Sequence, residues 1–206
     1  MKQVLTFIQN GGPMMYPLIF CSVLLLALAI ERLIVLRKAN VDGDELLDET
    51  RTLYKPGGDP FPAADACARL GGPIGRVFAR GLRNAHRAPD AIEMAMEFEA
   101  ANELPALEAN LPVMKTIVNI SPLLGLLGTI AGMITSFRSA AQVGLSNPTQ
   151  ILSGISEALI STATGISVAV LGFVLYNYFA NQSKKIVEDI EYYGAELVNY
   201  ISGRVD

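Results

Sequence analysis

The sequence predicts an all-α integral membrane protein, with three transmembrane helices and a helical cytoplasmic domain that associates with copies of itself. Composition is the first ground: 51% of the 206 residues are hydrophobic and 17% charged, against about a quarter charged in soluble domains. The second is three apolar runs long enough to cross a bilayer. The third is small and hydroxyl residues recurring at helical spacing on one face of the second and third runs.

The first run, Met14 to Leu36, is apolar except for Ser22 and the pair Glu31-Arg32, about 23 residues where roughly 20 suffice. Pro13 and Pro17 fall in its first turns, where a missing N–H costs least. With a single lysine ahead of it and no small-residue cleavage pattern before Glu31, the run is expected to remain as an anchor. The second run spans Ile117 to Phe137 and the third Ile151 to Ala180. The connection RSAAQVGLSNP ends in an Asn-Pro turn signal, so the two form an antiparallel hairpin.

Charges set the orientation. Arg32, Arg37 and Lys38 end the first span, Lys115 precedes the second, and Lys184 and Lys185 follow the third, while the opposite ends carry Lys2 and Arg138. The expected organisation is therefore an external N-terminus and first span over 1–36, a cytoplasmic segment over 37–115, a hairpin over 116–180 and a cytoplasmic tail over 181–206. Within 37–115, an Asp42 cap opens DGDELLDETRTLY; the breakers KPGGDPFP and GGP frame PAADACARL; PIGRVFARGLRNAHR follows. From Pro89 an acidic helix is expected to run into the second span without a clear stop, bent at Pro105 and Pro112, with Glu93, Glu97 and Glu99 on a solvated face. The third span and the tail read as one helix of about 50 residues, whose stripe of Ile186, Ile190, Leu197 and Ile201 needs covering, most simply by copies of the chain.

Several functions are excluded. A net charge of −4 without a basic stripe argues against nucleic acid. His86 is the only histidine, so no histidine-based metal cluster or nucleophile–histidine pair can be assembled, and neither an enzyme nor a cofactor is expected. Cys21 and Cys67 read as unpaired thiols. Inverted repeats and broken helices of the transporter kind are absent.

On an ideal helix, Ser121, Gly125, Thr129, Gly132 and Ser136 fall within an arc of about 80°. That face suits close helix packing or a pore lining, and both can hold together. Ser153, Glu157, Ser161 and Thr164 share a comparable arc on the third span, where Glu157 is the one ionisable residue. Measured from Arg138 and Ile151, Thr129 and Thr162 lie roughly 13 and 16 Å deep, near mid-membrane, and Glu157 about 9 Å from the outer boundary. Thr162 points about 140° away from Glu157 on a straight helix, so one shared cavity would require a bend.

SPLLGLLGTIAGMITSF followed by ISEALISTATGISVAVLGFVLYNYFANQ resembles the paired signature of the ExbB/TolQ family, relatives of MotA, and the likeness runs from about Leu107 to Gln182. The ERL at Glu31 to Leu33 also fits, and three spans suit ExbB or TolQ better than the four of MotA. The resemblance implies a homo-pentameric ring in the bacterial inner membrane, surrounding two single-span partners of the ExbD/TolR type. A membrane aspartate of those partners carries protons, and the ring drives a TonB- or TolA-like protein that acts on the outer membrane. By motif, Thr129, Glu157 and Thr162 correspond to polar residues of the family's ion pathway, with Ser161 and Thr164 beside them. Ser161 stands where many relatives have a small apolar residue. A sodium-driven relative and a non-conducting scaffold are the competing readings.

Overall fold

The computed structural model describes residues 11–143 and 148–204. Seven helices and no strand occur among them: α1 Met15–Ala39, α2 Gly43–Leu53, α3 Phe61–Leu70, α4 Gly72–Arg83, α5 Pro89–Glu108, α6 Leu111–Val143 and α7 Pro148–Ile201. Three helices are long and apolar enough to cross a membrane, and α1, α6 and α7 carry the three predicted runs. Residues 144–147, which include the Asn147 of the expected turn, lie outside the described residues.

The chain divides into two compact units. The first holds the chain up to Glu31 and Asn110–Tyr178. Here α1 buries Met15, Leu18, Cys21, Leu25 and Ala29 at helical spacing and leaves Tyr16, Phe20, Val23, Leu26 and Ile30 exposed. α6 leaves Leu123, Leu126, Ile130, Ile134 and Phe137 exposed, and α7 leaves Leu159, Ile166, Val170, Leu171 and Val174 exposed. In water so much open apolar surface would drive aggregation; in hydrocarbon it is the solvated face. What α6 and α7 turn toward each other is glycine, alanine and small hydroxyl side chains. A Cβ placed on Gly132 would stand 2.7 Å from the Gly154 carbonyl oxygen, and one on Gly165 would stand 2.5 Å from that of Ser121. Lipid chains are as apolar as leucine, so backbone proximity and interhelical hydrogen bonds hold this pair. At Gly172 an added Cβ would meet Val118 and Leu25 at 2.9 and 3.0 Å, so α1 closes on both helices there.

The second unit holds Arg32–Ala109 and the chain from Phe179 onward. Asp42 caps α2, accepting the Asp44 N–H at 3.0 Å as its sequence position predicts. Gly71 and Gly72, both at positive φ, turn the chain between α3 and α4, and Gly75 seats α4 with its virtual Cβ 2.5 Å from the Cys67 carbonyl oxygen. Leu46, Ala63, Cys67, Ile74, Val77, Phe78, Leu82, Ile92 and Met96 form the core. Thr50 spends its hydroxyl on the Leu46 carbonyl at 2.8 Å and lies 3.3 Å from the Cys67 sulfur. Both cysteines are free and buried. The end of α7 is held by Tyr200, donating to the Tyr54 carbonyl at 2.8 Å, and by Arg51, which pairs with Glu196 at 3.3 Å beneath the Tyr200 ring.

Two expectations are corrected. The stripe of Ile186, Ile190, Leu197 and Ile201 is buried to within 8% exposure inside this unit of a single chain. Copies of the chain are not needed to cover it, because the segment 37–109 does so. The acidic helix also has a stop: α5 ends at Glu108 with Ala109 as its cap, and Asn110 takes φ 64°. Asparagine tolerates the left-handed conformation that ends helices, so the break falls there and not at Pro105, which α5 accommodates, or at Pro112, the second residue of α6. The Arg32 guanidinium, 2% exposed, donates to the Ala106 and Leu107 carbonyls at 3.0 and 3.3 Å. These are last-turn acceptors with no partner inside their own helix, at the negative end of its dipole. Asn110 itself donates to Glu31 at 3.1 Å.

Candidate functional site in the helical hairpin

The polar residues singled out on α6 and α7 fall into three groups. Four are packing residues within the chain. Gly125 and Gly132 bring α6 against the α7 backbone. Ser121 is fully buried and donates to its own-helix Ile117 carbonyl at 2.7 Å. Ser136 reaches across to the Ile151 carbonyl at 3.0 Å.

Thr129 and Thr162 form the second group, on the edge of the α6–α7 seam. The Thr162 hydroxyl donates to the Gly125 carbonyl at 3.0 Å. That carbonyl is the one to which the Thr129 N–H points in an α-helix. The Thr129 hydroxyl turns back on the Leu126 carbonyl at 2.6 Å. Both threonines are half-buried. Each hydroxyl donates its proton to a backbone carbonyl and keeps its oxygen lone pairs as acceptors. The sequence singled out both residues by depth; their link through Gly125 depends on the close approach that Gly125 and Gly165 permit.

Glu157, Ser161 and Thr164 make the third group. Glu157, half-buried, lies in contact with Gly12 in the turn ahead of α1; Gly12 has φ 71°, and a Cβ there would run into the carboxylate. Ser161 is fully buried, seated in the notch that Gly128 leaves, and Met14 also borders that notch. Its hydroxyl has no hydrogen-bond partner among the described residues. Thr164 donates to the Ile160 carbonyl at 2.8 Å. Ser153 is exposed. Glu157 therefore contacts the start of α1 while Thr162 contacts α6, and no bend brings them together, in agreement with their separation of about 140° in helical phase. The sequence reading missed Gly11 and Gly12 as partners of α7. A glycine pair just before a membrane span was the available signal, but nothing in the pattern said which helix it would meet.

Three apolar helices, two of them joined along a seam of glycines and hydroxyls, define a multi-pass membrane protein. Residues 70–192 match the model of the MotA/TolQ/ExbB proton channel family, and the chain belongs to that family. It is 33% identical over 171 residues to the biopolymer transport protein ExbB-like 3 of Synechocystis, covering 82% of this chain and 81% of that one. Against the Tol-Pal system protein TolQ of Pseudomonas aeruginosa it is 33% identical over 142 residues, 66% of this chain and 60% of the relative. The biopolymer transport protein ExbB of Salmonella typhimurium is 45% identical over a shorter stretch of 67 residues, 32% of this chain and 28% of its own.

Proposed function

We propose that this chain is the ring-forming subunit of a proton-driven inner-membrane motor. In this reading five copies surround ExbD/TolR-like single-span partners, and the assembly energises a TonB- or TolA-like protein, with the N-terminus outside and residues 37–115 in the cytoplasm. The observation that carries it is the Thr162 hydroxyl bonded to the Gly125 carbonyl, one helical turn from Thr129. Two hydroxyls near mid-membrane thus flank one seam, where a carboxyl on a partner helix can exchange hydrogen bonds as it gains and loses its proton. A hydroxyl costs far less to hold in hydrocarbon than a charge, so the ring need not titrate. Glu157, about one and a half turns nearer the outer boundary, supplies a negative entrance, with Ser161 and Thr164 beside it.

A scaffold without ion movement is favoured by one feature: Ser121, Ser136 and Thr162 already have partners within the chain. Thr129→Val with Thr162→Val separates the readings. Valine keeps the shape, and an interhelical hydrogen bond in a membrane contributes on average about 0.6 kcal/mol, so the hairpin survives. The double variant is expected to lose motor-dependent uptake or growth while still co-purifying with its single-span partner; Glu157→Gln is expected to impair it. Full activity of the double variant would remove the threonines from the mechanism, and loss of the partner would make them packing residues.

A further inference from the structure

The second unit carries an open cleft of about 480 Å³ between α5 and the end of α7, within a single chain. Its floor is apolar, with Met96, Leu104 and Val198, and its rim is acidic, with Glu93, Glu97 and Glu191. Beside it on α5, Met94 and Phe98 stand 70% and 63% exposed at i, i+4 spacing. Glu97 lies one turn from Met94 on the same side of this helix, so an open Met and Phe border the acidic rim and extend the apolar surface beside the cleft. The rim carboxylates take no part in the ion pairs among the described residues.

The same unit has a basic edge. Arg80 is exposed on α4, and His86 and Arg87 are exposed in the turn after it. Arg76 is held by Glu103 and Arg83 by Asp65, but Arg80 and Arg87 enter no salt bridge among the described residues. An acidic apolar cleft and a basic edge on one unit are complementary between copies, and a surface that meets a different surface of its neighbour is the head-to-tail contact that closes into rings. We infer that the α5–α7 cleft of one copy receives the α4 edge of the next, with Glu93, Glu97 and Glu191 facing Arg80 and Arg87. This rests on the reading of the chain as a ring subunit, and it places a subunit contact outside the membrane spans.

The test uses full-length chains with Cys21 and Cys67 replaced by alanine. One chain carries Glu97→Cys and the other, differently tagged, carries Arg80→Cys; a short bismaleimide is added to membranes from cells making one or both. A cross-linked dimer of the two tags is expected only on co-expression, because head-to-tail contact never brings two copies of position 97 together and a single cysteine cannot link within its chain. Adding Arg87→Glu to the Arg80→Cys chain should lower the dimer yield several-fold. Rings intact by native mass spectrometry without the mixed dimer would overturn the interface. So would dimers of the Glu97→Cys chain alone, or its linkage to a different polypeptide. Absence of rings from the unsubstituted chain would overturn the ring reading itself.

Discussion

Gly165→Ala tests whether the glycine seam positions the threonines. The new Cβ would lie 2.5 Å from the Ser121 carbonyl oxygen and 3.0 Å from the Gly125 Cα. Both are backbone, so no side chain can swing aside. An ordinary contact to that oxygen needs about 3.4 Å, so α6 and α7 must separate locally by roughly 0.9 Å. Gly125 is also the acceptor for Thr162 at 3.0 Å. The same displacement stretches that bond to about 3.9 Å, beyond hydrogen-bonding range. Overpacking costs about 1–3 kcal/mol and the lost bond about 0.6 kcal/mol more. The two buried thiols provide the assay, since a thiol-reactive fluorophore follows unfolding of the first unit through Cys21 and of the second through Cys67 when the other cysteine is replaced. Burial pushes the Cys67 thiol up, which keeps it slow to react while folded. The Cys21 transition should fall by several degrees and motor-dependent activity should drop with it, while the Cys67 transition moves less. Thr162→Val removes the same bond without pushing the helices apart, and should lower activity with little change in either transition. Gly165→Ala with unchanged melting and full activity would refute the seam as the positioning element.

Gly12→Ala places an L side chain at φ 71° and into the Glu157 carboxylate. A left-handed residue costs about 1–2 kcal/mol, so the Cys21 transition should fall; activity should drop to at least the level of Glu157→Gln, and wild-type activity would mean that the Gly12 contact does not position Glu157. Arg32→Met leaves the Ala106 and Leu107 carbonyls without their donor in a buried site, at about 1–3 kcal/mol for each unsatisfied group. The Cys67 transition should fall and cleavage by a non-specific protease near Ala109 should quicken, with Arg32→Lys intermediate; an unchanged digest would show that the cap contributes nothing.

The helical plan was legible because each element is punctuated locally. Asp42 opens α2, Gly71-Gly72 separates α3 from α4, and Pro89 opens α5. The end of α5 is less legible, since Asn110 is a weaker stop than glycine and Pro105 and Pro112 on either side are stronger breakers by residue type. The polar faces were legible as faces, but a face names no partner. Periodicity placed Ser161 and Glu157 on one arc; packing set Ser161 in the Gly128 notch and Glu157 on Gly12. The period of the Ile186 to Ile201 stripe shows that it needs cover, but nothing in a helix's own period says whether the neighbour that buries it comes from the same chain.

By itself the sequence determined the three apolar helices, the length of α7 and the residues able to hold a hydroxyl or a carboxylate in the membrane, because length, hydropathy and helical period are local quantities. Tertiary structure alone decided that Arg32 caps α5, that the tail stripe is buried within one chain, and that Thr162 reaches α6 through the Gly125 carbonyl. Each of these depends on how near two distant backbones can come. At the Thr162 contact glycines set that distance, and its outcome is fixed only once the helices are packed.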